Sequence, residues 1–252
     1  MPAKHLITLY DIRSKLDPPA WSPNVWKARF VLNYKKLPYI TQWLAWPDVT
    51  DVLSSIGAAP TRMEKPYYTV PVIVDQVEGK PAVVVSDSLD IADYLEHKYP
   101  EPPIYPGGRD RQMIYHMTIS QNTSSNMFVM VAPNLTKILP EGREREFYVS
   151  SRKEIFGVGL DEIFRPEVHD AMWARVYRGL DNLSGFTDRI EHGEQWLFSP
   201  VEGPSYADFV LGAILNWFKI AGPEGAWDRI KGRNNGKWER HMQNLQPYME
   251  LL

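Results

Sequence analysis

The sequence contains no cysteine among its 252 residues. This excludes disulfides, thiolate metal sites and a cysteine nucleophile. There is also no apolar run of about 18 residues and no run of about five like charges, and the formal net charge is -3. We therefore expect no membrane-spanning helix and no basic surface for nucleic acid. The six histidines have no paired spacing that would predict a metal site.

Length and aromatic content set two further expectations. A chain of 252 residues predicts one large or two modest domains. The N-terminal residues 1–5 lack the charged region, the apolar core and the cleavage site of a secretory signal peptide, so we expect a soluble, cytoplasmic protein. The nine Trp, thirteen Tyr and nine Phe are more than a core of this size needs. Some of them are expected to line a ligand surface.

Residues 67–95 predict a strand, a turn, a second strand and a helix. Pro71 opens the first apolar run, where a residue without a backbone N–H is tolerated. After a turn at Gly79, residues 82–85 are apolar on both faces, which predicts a strand covered on both sides. Residues 86–88 are Ser, Asp and Ser, and they precede apolar residues at helical spacing. This pattern predicts a helix N-cap.

The preceding residues predict a strand, a helix and another strand at 5–11, 22–32 and 38–44. Ser22 is expected at the N-cap of the helix and Pro23 at its first position. A short helix is predicted over 48–56.

The second half of the sequence is mostly helical in pattern. Residues 99–108 include four prolines and two glycines, which predicts an interdomain linker. Beyond it, apolar periodicity predicts helices over 112–131, 143–156, 166–192, 206–220 and 238–252. Ser205 and Asp208 have the spacing of a capping box, which predicts a structural role for Asp208.

These features together resemble the cytosolic glutathione transferases. The resemblance rests on the order of elements, on Val70–Pro71 as the cis-proline of that family, on the acidic-Ser pair Asp87–Ser88, and on the Pro-Ser-x-Ala-Asp run that ends at Asp208. It covers nearly the whole chain. The absence of cysteine excludes the thiol-transferase branches of the family.

The resemblance implies a fold and a co-substrate. The fold is an α/β thioredoxin-like N-terminal domain with a mixed four-stranded sheet at 1–99, a linker at 100–108 and an all-α C-terminal domain at 109–252. Glutathione is the implied co-substrate, and a homodimer is the implied assembly.

Ser22 is the first candidate for stabilising the thiolate of glutathione, as in the serine-type branches of the family. The backbone N–H groups and the positive dipole end of its helix favour the same charge. Asn24, with its amide donor, is the second candidate. The alternatives are that the Ser22 hydroxyl only caps the helix, or that Tyr10 acts as in the tyrosine-type branches.

The remaining glutathione contacts follow from charge. Ser88 and the start of its helix suit the γ-glutamyl carboxylate, and Asp87 suits the α-ammonium group. The backbone beside Val70–Pro71 is expected to pair with the cysteinyl residue as an added strand does. Lys65 or Arg62 is the candidate cation for the glycyl carboxylate, although a charged loop residue is more often only solvated.

A second site for aromatic ligands is expected beside the thiol. The candidates share large apolar or polarizable side chains that suit flat ligands, and they are Trp26, Trp46, Met117 and Phe128. Each of them is equally compatible with a place in the core.

The segment 22–27, the long loop before it and the Trp46 segment narrow the resemblance to β-etherase-related transferases of bacteria and fungi. That class implies attack of the thiolate on an aryl ether with loss of a phenoxide. One hypothesis is therefore a transferase for aromatic electrophiles, with cleavage of lignin-type β-aryl ethers as its specific form. The alternative is a ligandin-type protein that binds hydrophobic phenolics and keeps the glutathione site. A structural transferase-like domain, as in translation factors, is disfavoured because no basic appendage is present.

Overall fold

The computed structural model describes residues 5–61 and 67–251, which fall into two compact units. The first unit runs to Pro103 and also takes in the chain from Tyr248 onward. The second unit comprises Ile104–Pro247.

The first unit is built on a four-stranded mixed sheet. Its elements are β1 (His5–Ile12), α1 (Pro23–Tyr34), β2 (Tyr39–Leu44), a 3-10 turn (Trp46–Asp48), α2 (Val49–Ser55), β3 (Val72–Val77), β4 (Val83–Ser86) and α3 (Ser88–Lys98). The strand order is β2-β1-β3-β4, with β1 parallel to β2 and antiparallel to β3. The predicted strand-helix-strand unit followed by strand-strand-helix is confirmed.

The core of this unit lies between the sheet and the pair α1 and α3. Alternate side chains of a strand point to opposite faces of a sheet. Ile7 and Leu9 of β1 are fully buried, and α1 contacts both β1 and α3. A buried ion pair joins the two layers: Arg29 of α1 donates to Asp11 of β1 at 3.1 Å. Burial raises the pKa of Asp11 to about 7, and the charge of Arg29 opposes that shift.

A second buried carboxylate, Asp75 of β3, accepts four hydrogen bonds. Its donors are His5, Tyr94, Lys98 and Tyr99, all at 2.8–2.9 Å. Burial alone would raise the pKa of Asp75, but these hydrogen bonds outweigh it and hold the pKa below its usual value. The two buried aspartates of the sheet are therefore shifted in opposite directions.

The expectation that residues 82–85 form a strand covered on both sides is wrong. In the strand β4, Val83 is 38% exposed and Val84 and Val85 are only half-buried. An apolar run indicates a strand, but it does not show whether other elements cover both of its faces.

The second unit is helical. Its helices are α4 (Arg109–Asn122), α5 (Ser124–Ile138), α6 (Arg143–Phe156), α7 (Leu160–Ile163), α8 (His169–Thr187), α9 (Tyr206–Ala221), α10 (Ala226–Ile230) and α11 (Arg233–Leu245). The single helix predicted over 112–131 is two helices, because Thr123 leaves the helical conformation at φ -122° and ψ -74°. The helix predicted over 143–156 has the predicted bounds.

The central helix of this unit is α9, in which all but two residues are buried. The predicted capping box at its start is confirmed: the Asp208 N–H donates to the Ser205 hydroxyl, and the Ser205 N–H donates to the Asp208 carboxylate. The same carboxylate accepts from the N–H groups of Leu197 and Phe198. Asp208 therefore fixes the loop before α9 as well as the helix start.

No helix within the described ranges is long and apolar enough to cross a membrane.

Candidate functional site

The first candidate group lies at the N-terminus of α1. Ser22 is the N-cap residue, is 7% exposed, and makes no capping hydrogen bond with its side chain. Its hydroxyl has no hydrogen-bond partner anywhere in residues 5–61 and 67–251. The alternative that this hydroxyl caps the helix amides is therefore wrong for this conformation, and the O–H group is available to a ligand.

Asn24 occupies the second position of α1 and is exposed. Its side-chain oxygen accepts a hydrogen bond of 3.0 Å from the ammonium of Lys27. Because the side-chain oxygen of Asn24 faces that ammonium, its amide NH2 group is the part that can donate a hydrogen bond to a ligand. The structure therefore brings Ser22, Asn24 and Lys27 together at one end of α1.

Lys27, which is 8% exposed, was not among the residues predicted for the site from the sequence. Burial lowers the pKa of its ammonium to about 8, and the negative charge of Asp87 opposes part of that shift. Lysine in a helix is usually solvated, and the helical spacing alone did not reveal that this one points inward. Its position five residues after Ser22 is the one available signal.

The second candidate group lies at the N-terminus of α3. Asp87 is the N-cap residue, and its carboxylate accepts from the Leu89 N–H at 2.8 Å. Its φ of 76° lies in a region that costs a non-glycine residue about 1–3 kcal/mol and that is frequent at ligand-binding positions. Ser88 follows as the first residue of α3 and is 6% exposed. The negative charge of Asp87 also acts on Lys27, where it raises the pKa of the ammonium.

The cis-proline segment is joined directly to this helix start. The Val70–Pro71 peptide bond is cis, as predicted, and the Asp87 N–H donates to the Pro71 carbonyl at 3.3 Å. Val70 itself is 7% exposed, and its N–H and carbonyl make no hydrogen bond within the described part of the chain. Both groups are available to an extended peptide backbone.

The other candidates of the first unit have different surroundings. Trp46 is half-buried, with its ring 5.7 Å from that of Trp21. Trp26 is 4% exposed, donates its indole N–H to the Ala20 carbonyl and packs on Phe30, which are the contacts of a core residue. Its assignment to the aromatic site stays a prediction.

Tyr10 lies on the other face of the sheet from α1, since its neighbour Asp11 points to Arg29 of that helix. Lys65 and Arg62 lie outside the described residues. No group of three or more His, Asp or Glu that could hold a metal ion occurs in residues 5–61 and 67–251.

The two candidates in the second unit are Met117 and Phe128. Met117 of α4 is 61% exposed. Phe128 of α5 stacks on Trp217 at 6.3 Å and packs against Phe156 at 5.7 Å. The Trp217 N–H is buried, with no hydrogen-bond partner in the described ranges. Sequence patterns did not identify Trp217, because it lies within a helix that is apolar on all sides.

Both halves of the chain match models of one family. Residues 21–98 match the family described as glutathione S-transferase, N-terminal domain, and residues 111–248 match glutathione S-transferase, C-terminal domain. A glutathione S-transferase-like protein of Aspergillus flavus is 31% identical over 242 residues, which cover 91% of this chain and 86% of that protein.

Solved structures of fungal proteins have the same fold. One is a glutathione S-transferase of Ceriporiopsis subvermispora in complex with glutathione, with 30% identity, a TM-score of 0.88 and 98% coverage of both chains. Another is a glutathione transferase of Phanerochaete chrysosporium, with 30% identity, a TM-score of 0.87 and 98% coverage of both chains.

Proposed function

Because the chain belongs to the glutathione S-transferase family, we propose that it binds glutathione and transfers the thiolate of this co-substrate to aromatic electrophiles. The observation that carries the proposal is the hydroxyl of Ser22: this residue is 7% exposed at a helix N-terminus, and its hydroxyl lacks a hydrogen-bond partner in the described residues. A hydroxyl in this place is a donor for an anion.

The thiol of free glutathione has a pKa near 8.5 or slightly above, so most of it is protonated at neutral pH. Three features at the start of α1 favour the thiolate: the Ser22 O–H, the backbone N–H groups from Asn24 onward, and the positive end of the helix dipole. A hydrogen bond to a charged group contributes about 1.5–3 kcal/mol, which is enough to lower the pKa by about one unit. The proton released by the thiol passes to solvent.

The reaction is a nucleophilic substitution at carbon. The sulfur forms a C–S bond with its electron pair, and the leaving group departs with the electrons of the bond that breaks. With a β-aryl ether the broken bond is C–O and the product is a phenoxide. This ether cleavage is the specific form that we propose to test first among aromatic substrates.

The tripeptide is held by the groups that the structure brings together around the cis-proline. The backbone of Val70 pairs with the cysteinyl residue, Asp87 takes the α-ammonium group, and Ser88 with the start of α3 takes the γ-glutamyl carboxylate. In this proposal the domain formed by residues 1–99 binds glutathione, and the domain formed by residues 109–252 binds the aromatic ligand.

A homodimer belongs to the same proposal. Ile114 and Met117, three residues apart on α4, are 59% and 61% exposed. Large exposed apolar side chains on one helix face are typical of a surface that another protein covers. Sedimentation equilibrium of the purified protein measures the assembly directly.

The test of the function combines binding and turnover. Calorimetry should show glutathione binding, ultraviolet absorbance should show the bound thiolate near neutral pH, and a model aryl halide and a β-aryl ether should be converted. A protein that binds glutathione and phenolics but ionises no thiol and converts neither substrate would be the ligandin-type alternative.

A further inference from the structure

The ammonium of Lys27 is a buried cation without a counter-ion. Within residues 5–61 and 67–251 it has no carboxylate at ion-pair distance, and its hydrogen bond goes to a neutral amide oxygen, that of Asn24. Buried ammonium groups are normally paired, because an isolated one loses its hydration and gains no opposite charge in return. The ligand-free fold compensates this charge only in part, through the carboxylate of Asp87, which makes no ion pair with Lys27 in the described residues.

The position of the charge makes the cost larger. Side chains of a helix lean toward its N-terminus, and the contact with Asn24 shows that the Lys27 ammonium lies near the first turn of α1. That end of a helix carries a partial positive charge, which favours anions and disfavours cations. A buried lysine at this position is favourable when an anionic group of a ligand binds beside its ammonium.

A second buried lysine, at the C-terminal end of α1, is fully compensated. Lys35, directly after α1, is 6% exposed. Its ammonium donates to the Glu96 carboxylate at 2.7 Å and to the carbonyl oxygens of Tyr99 and Pro102 at 2.7 and 2.8 Å. Lys35 is therefore a structural lysine, whereas the Lys27 ammonium makes no ion pair within the described residues.

We propose that Lys27 binds the α-carboxylate of the γ-glutamyl residue of glutathione. The inference rests on the proposed function, since it assigns a further residue to the same glutathione site. Asp87, the acidic group that acts on Lys27, is the partner proposed for the α-ammonium group on the same carbon atom of the ligand. A γ-glutamyl end bound between Lys27 and Asp87 places each of its two charges beside an opposite one.

The glycyl carboxylate and the thiolate are the two other anionic groups of glutathione. The thiolate already has the Ser22 hydroxyl and the α1 amides, and the glycyl carboxylate lies at the end of the tripeptide remote from the γ-glutamyl group. The electrostatic link between Lys27 and Asp87 favours the γ-glutamyl carboxylate over both.

Calorimetry with three ligands tests the assignment: glutathione, an analogue whose γ-glutamyl residue lacks the α-carboxylate, and γ-glutamylcysteine, which lacks the glycyl carboxylate. The wild type should bind glutathione about tenfold or more tightly than the first analogue, since a charge-assisted hydrogen bond is lost. In Lys27→Met this preference should shrink by about tenfold, to the part that Ser88 and the start of α3 contribute, while the loss with γ-glutamylcysteine stays as in the wild type.

Two variants serve as controls. Lys27→Arg keeps the charge and should retain part of the discrimination between glutathione and the first analogue. Lys35→Met removes a paired buried lysine, so it should lower the melting temperature and leave the discrimination unchanged. Ligand-free Lys27→Met should melt at or above the wild type, because an apolar side chain of similar length replaces an unpaired charge.

Three results would overturn the proposal. One is a Lys27→Met protein that discriminates against the first analogue as strongly as the wild type. Another is a loss of discrimination confined to γ-glutamylcysteine, which would assign Lys27 to the glycyl carboxylate. The third is a ligand-free Lys27→Met protein that melts far below the wild type, which would make Lys27 a structural residue. Failure of the wild type to bind glutathione at all would instead refute the proposed function.

Discussion

The Lys27 ammonium donates a hydrogen bond of 3.0 Å to the side-chain oxygen of Asn24. This contact orients the Asn24 amide, because the oxygen is held toward Lys27 and the NH2 group is directed elsewhere. Two side-chain donors, the Ser22 hydroxyl and the Asn24 NH2 group, therefore lie at the start of α1. They are the two candidates for stabilising a bound thiolate, and they are separable by mutation.

Ser22→Ala should raise the pKa of the glutathione thiol in the complex by about one unit, because one hydrogen bond to the thiolate is lost. Turnover of an aryl halide near pH 7 should fall roughly tenfold and recover in part at higher pH. Glutathione affinity should change little, since Val70, Asp87 and Ser88 hold the tripeptide. Titration of the thiolate absorbance and calorimetry measure the two effects separately.

Asn24→Ala is the matched comparison at the same helix end. If Ser22 is the donor, the thiol pKa should stay within a few tenths of a unit in this variant. An unchanged pKa in Ser22→Ala together with a raised pKa in Asn24→Ala would transfer the role to Asn24. Unchanged values in both single variants and in the double variant would leave the task to the backbone amides of α1.

Asp87→Asn should weaken glutathione binding by about tenfold or more while preserving the fold. Asparagine is as good an N-cap as aspartate and tolerates positive φ, so the hydrogen bond to the Leu89 N–H is kept. What is lost is the charge that meets the α-ammonium group of the ligand. Calorimetry gives the affinity, and thermal melting gives the stability.

Asp87→Ala completes the comparison, because it removes the cap as well as the charge. We expect it to bind glutathione as weakly as Asp87→Asn does and to melt at a lower temperature, since loss of an N-cap costs about 1 kcal/mol. Full affinity in Asp87→Asn would show that the carboxylate only caps α3.

The local signals in the sequence predicted the features that depend on neighbouring residues. Ser22 and Pro23 identified the start of α1, and Ser205 and Asp208 identified the capping box of α9. Both follow from the hydrogen-bonding or steric properties of a few consecutive side chains, whereas the cis bond at Val70–Pro71 was expected from the resemblance to the family. Backbone chemistry of this kind can be read without knowing what packs nearby.

The features that the sequence did not reveal depend on distant parts of the chain. Whether Lys27 is solvated or buried is decided by the packing around α1, and how far the two faces of β4 are covered is decided by the elements that pack on the sheet. The link between Lys27 and Asp87 joins residues 60 positions apart. A helical pattern contains no information on such pairs.

Phenolic ligands should bind in the second unit beside Phe128 and Trp217, and they should quench tryptophan fluorescence. The stacked rings offer a flat apolar surface, and the Trp217 N–H, which has no partner in the described residues, is a donor for a phenolic oxygen. Phe128→Ala should abolish the rise in melting temperature that such ligands cause. Phe164, which stacks on His169 at 4.0 Å in the same unit, provides the control variant Phe164→Ala.

This prediction is wrong if a panel of phenolics neither shifts the melting temperature of the wild type nor quenches its fluorescence. It is also wrong if Phe164→Ala and Phe128→Ala reduce ligand binding equally, because the effect would then reflect the stability of the unit and not the site.

The buried pair Asp11–Arg29 should make stability depend on pH between about 4 and 7. Burial raises the pKa of Asp11 to about 7 in the folded protein, whereas an unfolded carboxyl titrates near 4. Between these values the folded state binds a proton that the unfolded state has released. The contribution of Asp11 to stability is therefore full below about pH 4 and is lost as the pH rises through 7.

Asp11→Asn removes this titration, so its free energy of unfolding should improve relative to the wild type as the pH rises from 4 to 7, and then stay parallel. Asp75→Asn is the opposite case: hydrogen bonds hold the pKa of Asp75 below its usual value, so its contribution is present above about pH 4 and is lost in acid. Urea unfolding at closely spaced pH values measures both. A constant difference between Asp11→Asn and the wild type across pH 4 to 7 would mean that Arg29 keeps Asp11 ionised throughout this range.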